Sequence, residues 1–159
     1  MRLSITPRGR HRLPRSAAEP ARHQAGQGKC EKDSKPTVSV LKQIGDGFTV
    51  GFVVGGGSSS TVLVRAIGPG LAAVGLTSGF VPDPKLTLFS GSTKINENGD
   101  WDGTAPLTAA FRKVGAFPVP GTSLDAALLA TLQPGSYSVQ VAGVTAENGL
   151  VIVEVYEVP

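Results

Sequence analysis

The sequence predicts an all-β protein: an antiparallel, jelly-roll-like β-sandwich of about eight strands with one short helix, preceded by a disordered basic tail. Three observations support this prediction. Glycine and proline are frequent, with 21 and 12 copies among 159 residues, as in a protein with many tight turns. From residue 36 onward, apolar runs of strand length alternate with turn-forming residues. The last third of the chain contains three such runs in succession.

Residues 1–35 differ from the rest of the chain in composition and charge. They hold nine of the 15 basic side chains but three of the 12 acidic ones, and almost no large apolar residue. Such a segment cannot bury enough apolar surface to offset the entropy lost on folding. We therefore predict a disordered, solvated tail, or an upstream extension that is not native to the domain. Nucleic-acid binding by its basic residues is a less favoured alternative, because the tail has no aromatic residue on which bases could stack.

The domain itself is predicted over residues 36–159, and its first part alternates apolar runs with glycine-rich turns. The pattern predicts strands over residues 37–44, 48–54 and 61–67, a helical turn over 71–76, and a strand over 85–90. We expect the second and third strands to form a hairpin through the glycine and serine loop at 55–60. This loop does not match a nucleotide-binding motif, because neither the lysine nor the helix of such a motif follows the glycines.

Residues 104–114 predict the one short helix. Leu107, Ala110, Phe111 and Val114 are spaced so that they share one face of a helix. A proline in the first turn and a glycine directly after the last apolar residue are typical helix boundaries. We expect the apolar face to be part of the core and the helix to cover one end of the sandwich.

The last third of the chain, residues 123–158, predicts an antiparallel meander. Its three apolar runs are separated by residues typical of tight turns, at 133–135 and 146–149. The middle run alternates, which places three apolar side chains on one face of a strand: Tyr137, Val139 and Val141. The final run, residues 150–158, is apolar on both faces except for Glu154 and Glu157, and predicts a central strand that is covered on each side.

The loop at residues 93–103 carries the side chains that most suggest a binding site. Trp101 is its candidate for stacking on a sugar ring. Four oxygen-bearing side chains of the kind that calcium prefers alternate along the loop: Asn96, Asn98, Asp100 and Asp102. The loop is not an EF-hand, because its glycine and glutamate are not at the required positions. Asparagine, aspartate and glycine are also common in turns that bind nothing, so both interpretations stay open.

Residues 36–159 contain neither histidine nor cysteine, since His11, His23 and Cys30 all lie in the tail. A Ser-His-Asp triad, a Cys-His pair and a His/Cys zinc site within the domain are therefore excluded. Carboxylates such as Glu97 crowd into the loop at 93–103, whereas paired catalytic carboxylates face each other across a cleft. We predict that the domain is not an enzyme, and that calcium is the one cofactor worth testing.

Arg65 is the lone charged residue in the apolar run V-L-V-R-A-I at 62–67. A guanidinium group in such a run needs either water or a hydrogen-bonded carboxylate. We predict that Arg65 lies on the solvent face of its strand or pairs with a carboxylate on another strand, such as Glu154.

Six motifs along residues 37–158 resemble a known kind of module. They are G-F-V-V-G-G-G at 51–57, T-V-L-V-R-A-I-G-P at 61–69, D-P-K-L-T-L-F at 83–89, N-G-D-W at 98–101, D-A-A-L-L-A-T-L-Q-P-G-S-Y at 125–137 and V-E-V-Y-E-V at 153–158. Together they resemble a module that recurs at the C-terminal ends of large secreted bacterial proteins. Their order is also similar to that in bacterial pre-peptidase C-terminal domains, which are jelly-roll-like β-sandwiches.

The resemblance implies a non-catalytic accessory or interaction domain of an exported or cell-surface bacterial protein. Its partner would be a protein, the cell envelope or a polysaccharide. Because some pre-peptidase C-terminal domains bind calcium, a calcium-dependent or carbohydrate-binding module that uses residues 96–102 remains the alternative. No apolar run reaches 18 residues, so we predict no membrane span, and the chain as given shows no signal peptide.

Overall fold

A computed structural model of the chain describes residues 38–145 and 147–159. The predicted tail, residues 1–35, lies outside the described residues. The strands are β1 Val38–Ile44, β2 Phe48–Val54, β3 Ser60–Ile67, β4 Pro84–Ser90, β5 Thr93–Asn98, β6 Ala126–Leu132, β7 Gly135–Gly143 and β8 Gly149–Val158. A 3-10 helix spans Pro69–Val74 and ends at Gly75 in the left-handed conformation, and helix α1 spans Ala105–Lys113.

The eight strands form two antiparallel four-stranded sheets. Sheet A has the order β1-β8-β3-β6, and sheet B has the order β2-β7-β4-β5. The pairing is nested, because β1 pairs with β8, β2 with β7, β3 with β6 and β4 with β5. This is the strand order of a jelly roll, so the predicted all-β sandwich is confirmed.

Two predicted arrangements of neighbouring strands, a meander and a hairpin, are wrong. The last three strands do not form a meander, because β6 and β8 belong to sheet A while β7 belongs to sheet B. Strands β2 and β3 also lie in different sheets and do not form a hairpin. In both places the turn residues carry the chain from one sheet to the other. Local alternation predicts most of the strands, but the partner of each strand is set by the nested pairing of distant segments.

Two other elements also differ from expectation. The first half of the predicted loop at 93–103 is strand β5, which pairs with β4 at the edge of sheet B. Helix α1 has the predicted buried face, but it packs on the outer face of sheet A and not on an end of the sandwich. No helix among residues 38–145 and 147–159 is long and apolar enough to cross a membrane.

The apolar side chains form two separate clusters. The larger one lies between the sheets and includes Val50, Phe52 and Val139. The second lies on the outer face of sheet A, where Phe111 and Trp101 cover β3, β6 and β8. Strand β8 therefore has apolar packing on both faces, as its sequence predicts.

Candidate functional site

The side chains of the predicted calcium site are partly used by the fold itself. The side-chain oxygen of Asn96 accepts a hydrogen bond from the N–H of Glu97 at 2.8 Å. Asn98 donates from Nδ2 to the carbonyl oxygen of Asp100 at 2.8 Å and accepts from the N–H of Ala127 at 3.0 Å. Since Ala127 lies in β6, Asn98 joins sheet B to sheet A. Its side chain is a structural bridge between the sheets.

The other two proposed ligands, Asp100 and Asp102, are exposed on the turn that follows β5. Asp102 adopts a left-handed backbone conformation with φ of 55°, which aspartate tolerates better than most residues. Within residues 38–145 and 147–159, no group of three or more histidine, cysteine, aspartate or glutamate side chains could hold a metal ion. The calcium hypothesis therefore depends on these two carboxylates and stays a prediction.

Trp101, the predicted sugar-stacking residue, is buried with 4% of its surface exposed. Its ring stacks on Phe111 at a centroid distance of 4.9 Å, and Nε1 donates to the carbonyl oxygen of Pro120 at 3.0 Å. The indole therefore fixes the loop at 99–103 and helix α1 to the outer face of sheet A. A sugar ring could stack on it only after this layer had moved away.

Arg65 pairs with Glu154, which is one of the two arrangements that the sequence predicts. Nε and Nη2 of Arg65 donate to Oε2 of Glu154 at 3.0 and 2.5 Å. Nη1 donates to the carbonyl oxygen of Phe117 at 2.8 Å. The alternative position on a solvent face does not apply, because Arg65 is 0% exposed beneath the segment that carries Phe117.

Three aromatic rings complete the surroundings of this guanidinium group. Its central carbon lies 4.7 Å from the ring centroid of Phe111, 4.5 Å from that of Phe117 and 6.0 Å from that of Tyr156. Burial raises the pKa of Tyr156 to about 12, and the neighbouring Glu154 carboxylate adds to this effect. A guanidinium group between aromatic faces with its donors paired is stably held, and no substrate can reach it.

Asp125 is a buried residue whose role the sequence does not reveal. Its Oδ1 accepts from the N–H groups of Gly68 and Gly70 at 2.7 and 3.1 Å, and its Oδ2 accepts from Oγ of Ser123 at 2.5 Å. The amides of this Gly-Pro-Gly turn would otherwise suit an anion. Because the partner carboxylate is more than 50 residues away in sequence, no local pattern could have revealed it.

Asp83 directly precedes β4 and lies near two other carboxylates, those of Asp100 and Glu147. Burial raises the pKa of its carboxyl group, and the Asp100 and Glu147 carboxylates add to this shift. Oδ1 of Asp83 is buried and has no hydrogen-bond partner among the described residues. We therefore expect the ionised form of this carboxylate to disfavour the folded state at neutral pH.

A groove of about 210 Å³ opens between the end of β2 and the end of β8. Apolar side chains such as Phe52 and Val62 line it, and Glu157 is its carboxylate. Oε1 of Glu157 accepts a hydrogen bond from Oγ of Ser60 at 3.1 Å. Glycoside hydrolysis typically uses a pair of carboxyl groups, and among the residues that line this groove Glu157 alone carries one.

Within the described part of the chain the outer face of sheet B is exposed and mainly polar, although the apolar Val53 is also 70% exposed on it. The strand register places Thr49, Gln140 and Thr87 side by side across β2, β7 and β4. In the next row, Ser138 lies between Gly51 and the half-buried Phe89. This row pattern follows from strict alternation, since the neighbouring residues of each strand point into the core.

No protein-family model and no curated protein matches the chain. The resemblance to modules of secreted bacterial proteins therefore depends on the six sequence motifs. The structure shows what the polar side chains of these motifs do in this chain. Arg65, Asn98, Asp125 and Glu154 all belong to the motifs, and all four make the internal hydrogen bonds described above. The motifs thus contain the residues that hold the jelly roll together.

Proposed function

We propose that this chain is a non-catalytic interaction domain of an exported or cell-surface bacterial protein, and that the outer face of sheet B contacts a polysaccharide. One observation supports this proposal most strongly. The buried charged side chains Arg65, Asp125 and Glu154 lie on or beside sheet A and are engaged internally. Sheet B instead presents a row of uncharged hydrogen-bonding side chains on its outer face, which ends at Glu97 on β5.

The buried polar side chains do not have the accessibility that catalysis requires. A general acid, base or nucleophile must come within hydrogen-bonding distance of its substrate. Arg65 and Asp125 are 0% exposed, and Glu154 is 6% exposed. Each of them has partners within the chain that satisfy its hydrogen-bonding groups. These residues therefore support a structural role.

The outer face of sheet B has the chemistry that suits a polysaccharide. Hydroxyl and amide groups such as those of Thr87 and Gln140 both donate and accept hydrogen bonds, as sugar hydroxyls do. The charged groups on this face partly offset each other, because Lys85 and Lys94 both bind the single carboxylate of Glu97, at 3.3 and 3.2 Å. A polar face with so small a net charge favours a hydroxyl-rich partner over a nucleic acid, which binds clusters of basic side chains.

The location outside the cell is supported by the motif resemblance. A module of this kind would hold a larger exported protein at a surface without performing a reaction itself. The proposed contact of sheet B with a polysaccharide is compatible with that role, because it leaves the helix layer on sheet A undisturbed.

The proposal is tested by co-sedimentation of the full chain with insoluble peptidoglycan sacculi and with cellulose. We expect the chain to sediment with at least one of them. The double variant Thr87→Ala, Gln140→Ala should lose this binding, because it removes two central hydrogen-bonding groups of the face. The matched control Thr61→Ala, Thr131→Ala changes two hydroxyl groups on sheet A and should bind like the parent.

Two results would overturn this assignment. Equal binding by both double variants would show that the outer face of sheet B is not the contact surface. Binding that requires calcium and is lost in Asp100→Ala, Asp102→Ala would instead support the alternative module at residues 96–102.

A further inference from the structure

The chain contains two Asn-Gly pairs, Asn98-Gly99 and Asn148-Gly149. Because glycine has no Cβ, its backbone nitrogen can approach the side-chain carbonyl carbon of the preceding asparagine. Attack of this nitrogen forms a C–N bond and closes a five-membered succinimide, and the side-chain nitrogen leaves as ammonia. Water then opens the ring at either carbonyl and gives aspartate or isoaspartate. The net reaction consumes one water, releases one ammonia and needs no oxidant or reductant.

The fold holds Asn98 away from this reaction. Its Oδ1 accepts from the N–H of Ala127 at 3.0 Å, and its Nδ2 donates to the carbonyl oxygen of Asp100 at 2.8 Å. To place its carbonyl carbon against the nitrogen of Gly99, the side chain would have to rotate and break both bonds. The first of these bonds also connects the two sheets, so the rotation would disturb the sandwich.

Asn148 is in a different situation. It is exposed in the connection between β7 and β8, and its side chain makes no hydrogen bond to another described residue. Its Oδ1 lies beside Gly45, at 2.9 Å from the position that a Cβ would occupy on that residue. The Asn148 amide therefore packs against the backbone of Gly45, in space that a side chain at that position would fill. Rotation of the Asn148 side chain would give up this contact but would break no side-chain hydrogen bond to a described residue, in contrast to Asn98.

We propose that Asn148 is a site of spontaneous deamidation and isoaspartate formation, and that the folded chain restricts this modification to Asn148. The two pairs share the same local sequence chemistry. The hydrogen bonds of Asn98 distinguish them, and these exist only in the folded state.

The modification would weaken the start of strand β8. A Cβ on Gly149 would lie 2.5 Å from the backbone carbon of Phe80, so the main chain is tightly packed there. Isoaspartate adds one carbon to the main chain directly before this residue. The new carboxylate would also stand next to Glu147, which already acts unfavourably on Asp83. We therefore expect the modified chain to unfold at a lower temperature than the unmodified chain.

The experiment is incubation of the full chain at mildly alkaline pH, followed by peptide mapping with mass spectrometry that separates aspartate from isoaspartate. In the folded chain we expect conversion at Asn148 to be about tenfold faster than at Asn98 or more, because two hydrogen bonds protect Asn98. A parallel incubation in urea is the control, and there both pairs should convert at similar rates.

Several results would overturn the proposal. One is conversion at Asn98 that equals or exceeds conversion at Asn148 in the folded chain. Another is complete protection of both pairs by the fold, and a third is absence of conversion in urea. As a second measurement, Asn148→Asp mimics one product, and Asn148→Gln is its uncharged control. The aspartate variant should have the lower unfolding temperature, and equal temperatures would contradict the expected effect on stability.

Discussion

The outer faces of the two sheets each carry an ion pair, one buried and one exposed. Comparing them shows how burial changes the contribution of an ion pair to the structure. On sheet A, Arg65 and Glu154 are covered by helix α1 and the segment after it, with side-chain exposures of 0% and 7%. On sheet B, Lys85 and Glu97 are 44% and 42% exposed. The covered pair is part of the core. The open pair leaves its face available for a partner.

The largest expected difference between the faces is in the stability of variants that break these pairs. Glu154→Ala leaves the buried guanidinium of Arg65 without its carboxylate, and such changes cost about 3–5 kcal/mol. The matched change on sheet B, Glu97→Ala, should leave the free energy of unfolding nearly unchanged, because water solvates both groups. Denaturation in urea measures both values.

A double variant sharpens this comparison. Replacing both partners on sheet A, as in Arg65→Met, Glu154→Leu, removes the unpaired charge and should restore part of the stability lost in Glu154→Ala. If Glu154→Ala and Glu97→Ala have equally small effects, the Arg65 pair is not buried in solution and the comparison fails.

The next effect concerns the turn at the end of β3. Asp125→Ala leaves the amides of Gly68 and Gly70 without their acceptor inside the protein, which should cost about 2–3 kcal/mol. Ser123→Ala removes one hydrogen bond to the same carboxylate and should cost about 1 kcal/mol. Thermal unfolding of both variants gives the ranking, and a larger loss in Ser123→Ala would contradict the anchoring role of Asp125.

At Asp83 we expect a substitution to raise the stability of the fold, by less than the preceding substitutions lower it. Its pKa in the folded state is raised above the ordinary value of 3.8, so the folded chain is favoured when this carboxyl is protonated. That contribution is present below the ordinary pKa and is lost as the pH rises through the folded pKa. Asp83→Asn should therefore raise the unfolding temperature at neutral pH, by a modest amount because the group is partly solvated.

The same variant should lose its advantage in acid, where the parent carboxyl is already neutral. Asp102→Asn is the control, since it makes the same chemical change on an exposed turn where asparagine also tolerates the left-handed backbone. An equal rise in both variants would show that general surface charge, and not the position of Asp83, is responsible.

The smallest expected effect is that of calcium. Millimolar calcium should leave the unfolding temperature of the full chain where it is in EDTA. Two carboxylates are far from the six to eight oxygen ligands that calcium takes, and the side-chain oxygens of Asn96 and Asn98 are engaged. A rise in the parent that is absent in Asp100→Ala, Asp102→Ala would establish the calcium alternative, because only a ligand of the folded state raises the midpoint.

Alternation and turn chemistry predict most of the strands, because both are local properties of the chain. The residues that match β7 and β8 illustrate this, and so does the apolar face of helix α1. Strand partners are a different matter, since the nested pairing of a jelly roll joins β1 to β8 across the whole domain. The predicted meander was wrong for this reason.

The candidate site shows the same limit. The pairing of Arg65 with Glu154 could be predicted, because each interrupts an otherwise apolar strand and a lone charge there needs a partner. The burial of Trp101 could not, since it depends on helix α1 lying on sheet A and not at an end of the sandwich. The role of Asp125 as a hydrogen-bond acceptor could not be predicted from the sequence. It depends on a Gly-Pro-Gly turn that is distant in sequence and lies beside Asp125 only in the folded chain.

The most direct measurement of the central claim is amide NMR of the full chain, titrated with a soluble form of the polysaccharide that sediments it. We predict that the amide shifts change along the outer face of sheet B, at Thr49, Thr87, Ser138 and Gln140. The signals around Arg65 and Trp101 should stay in place. Shift changes confined to residues 96–102 would contradict the account and assign binding to that loop.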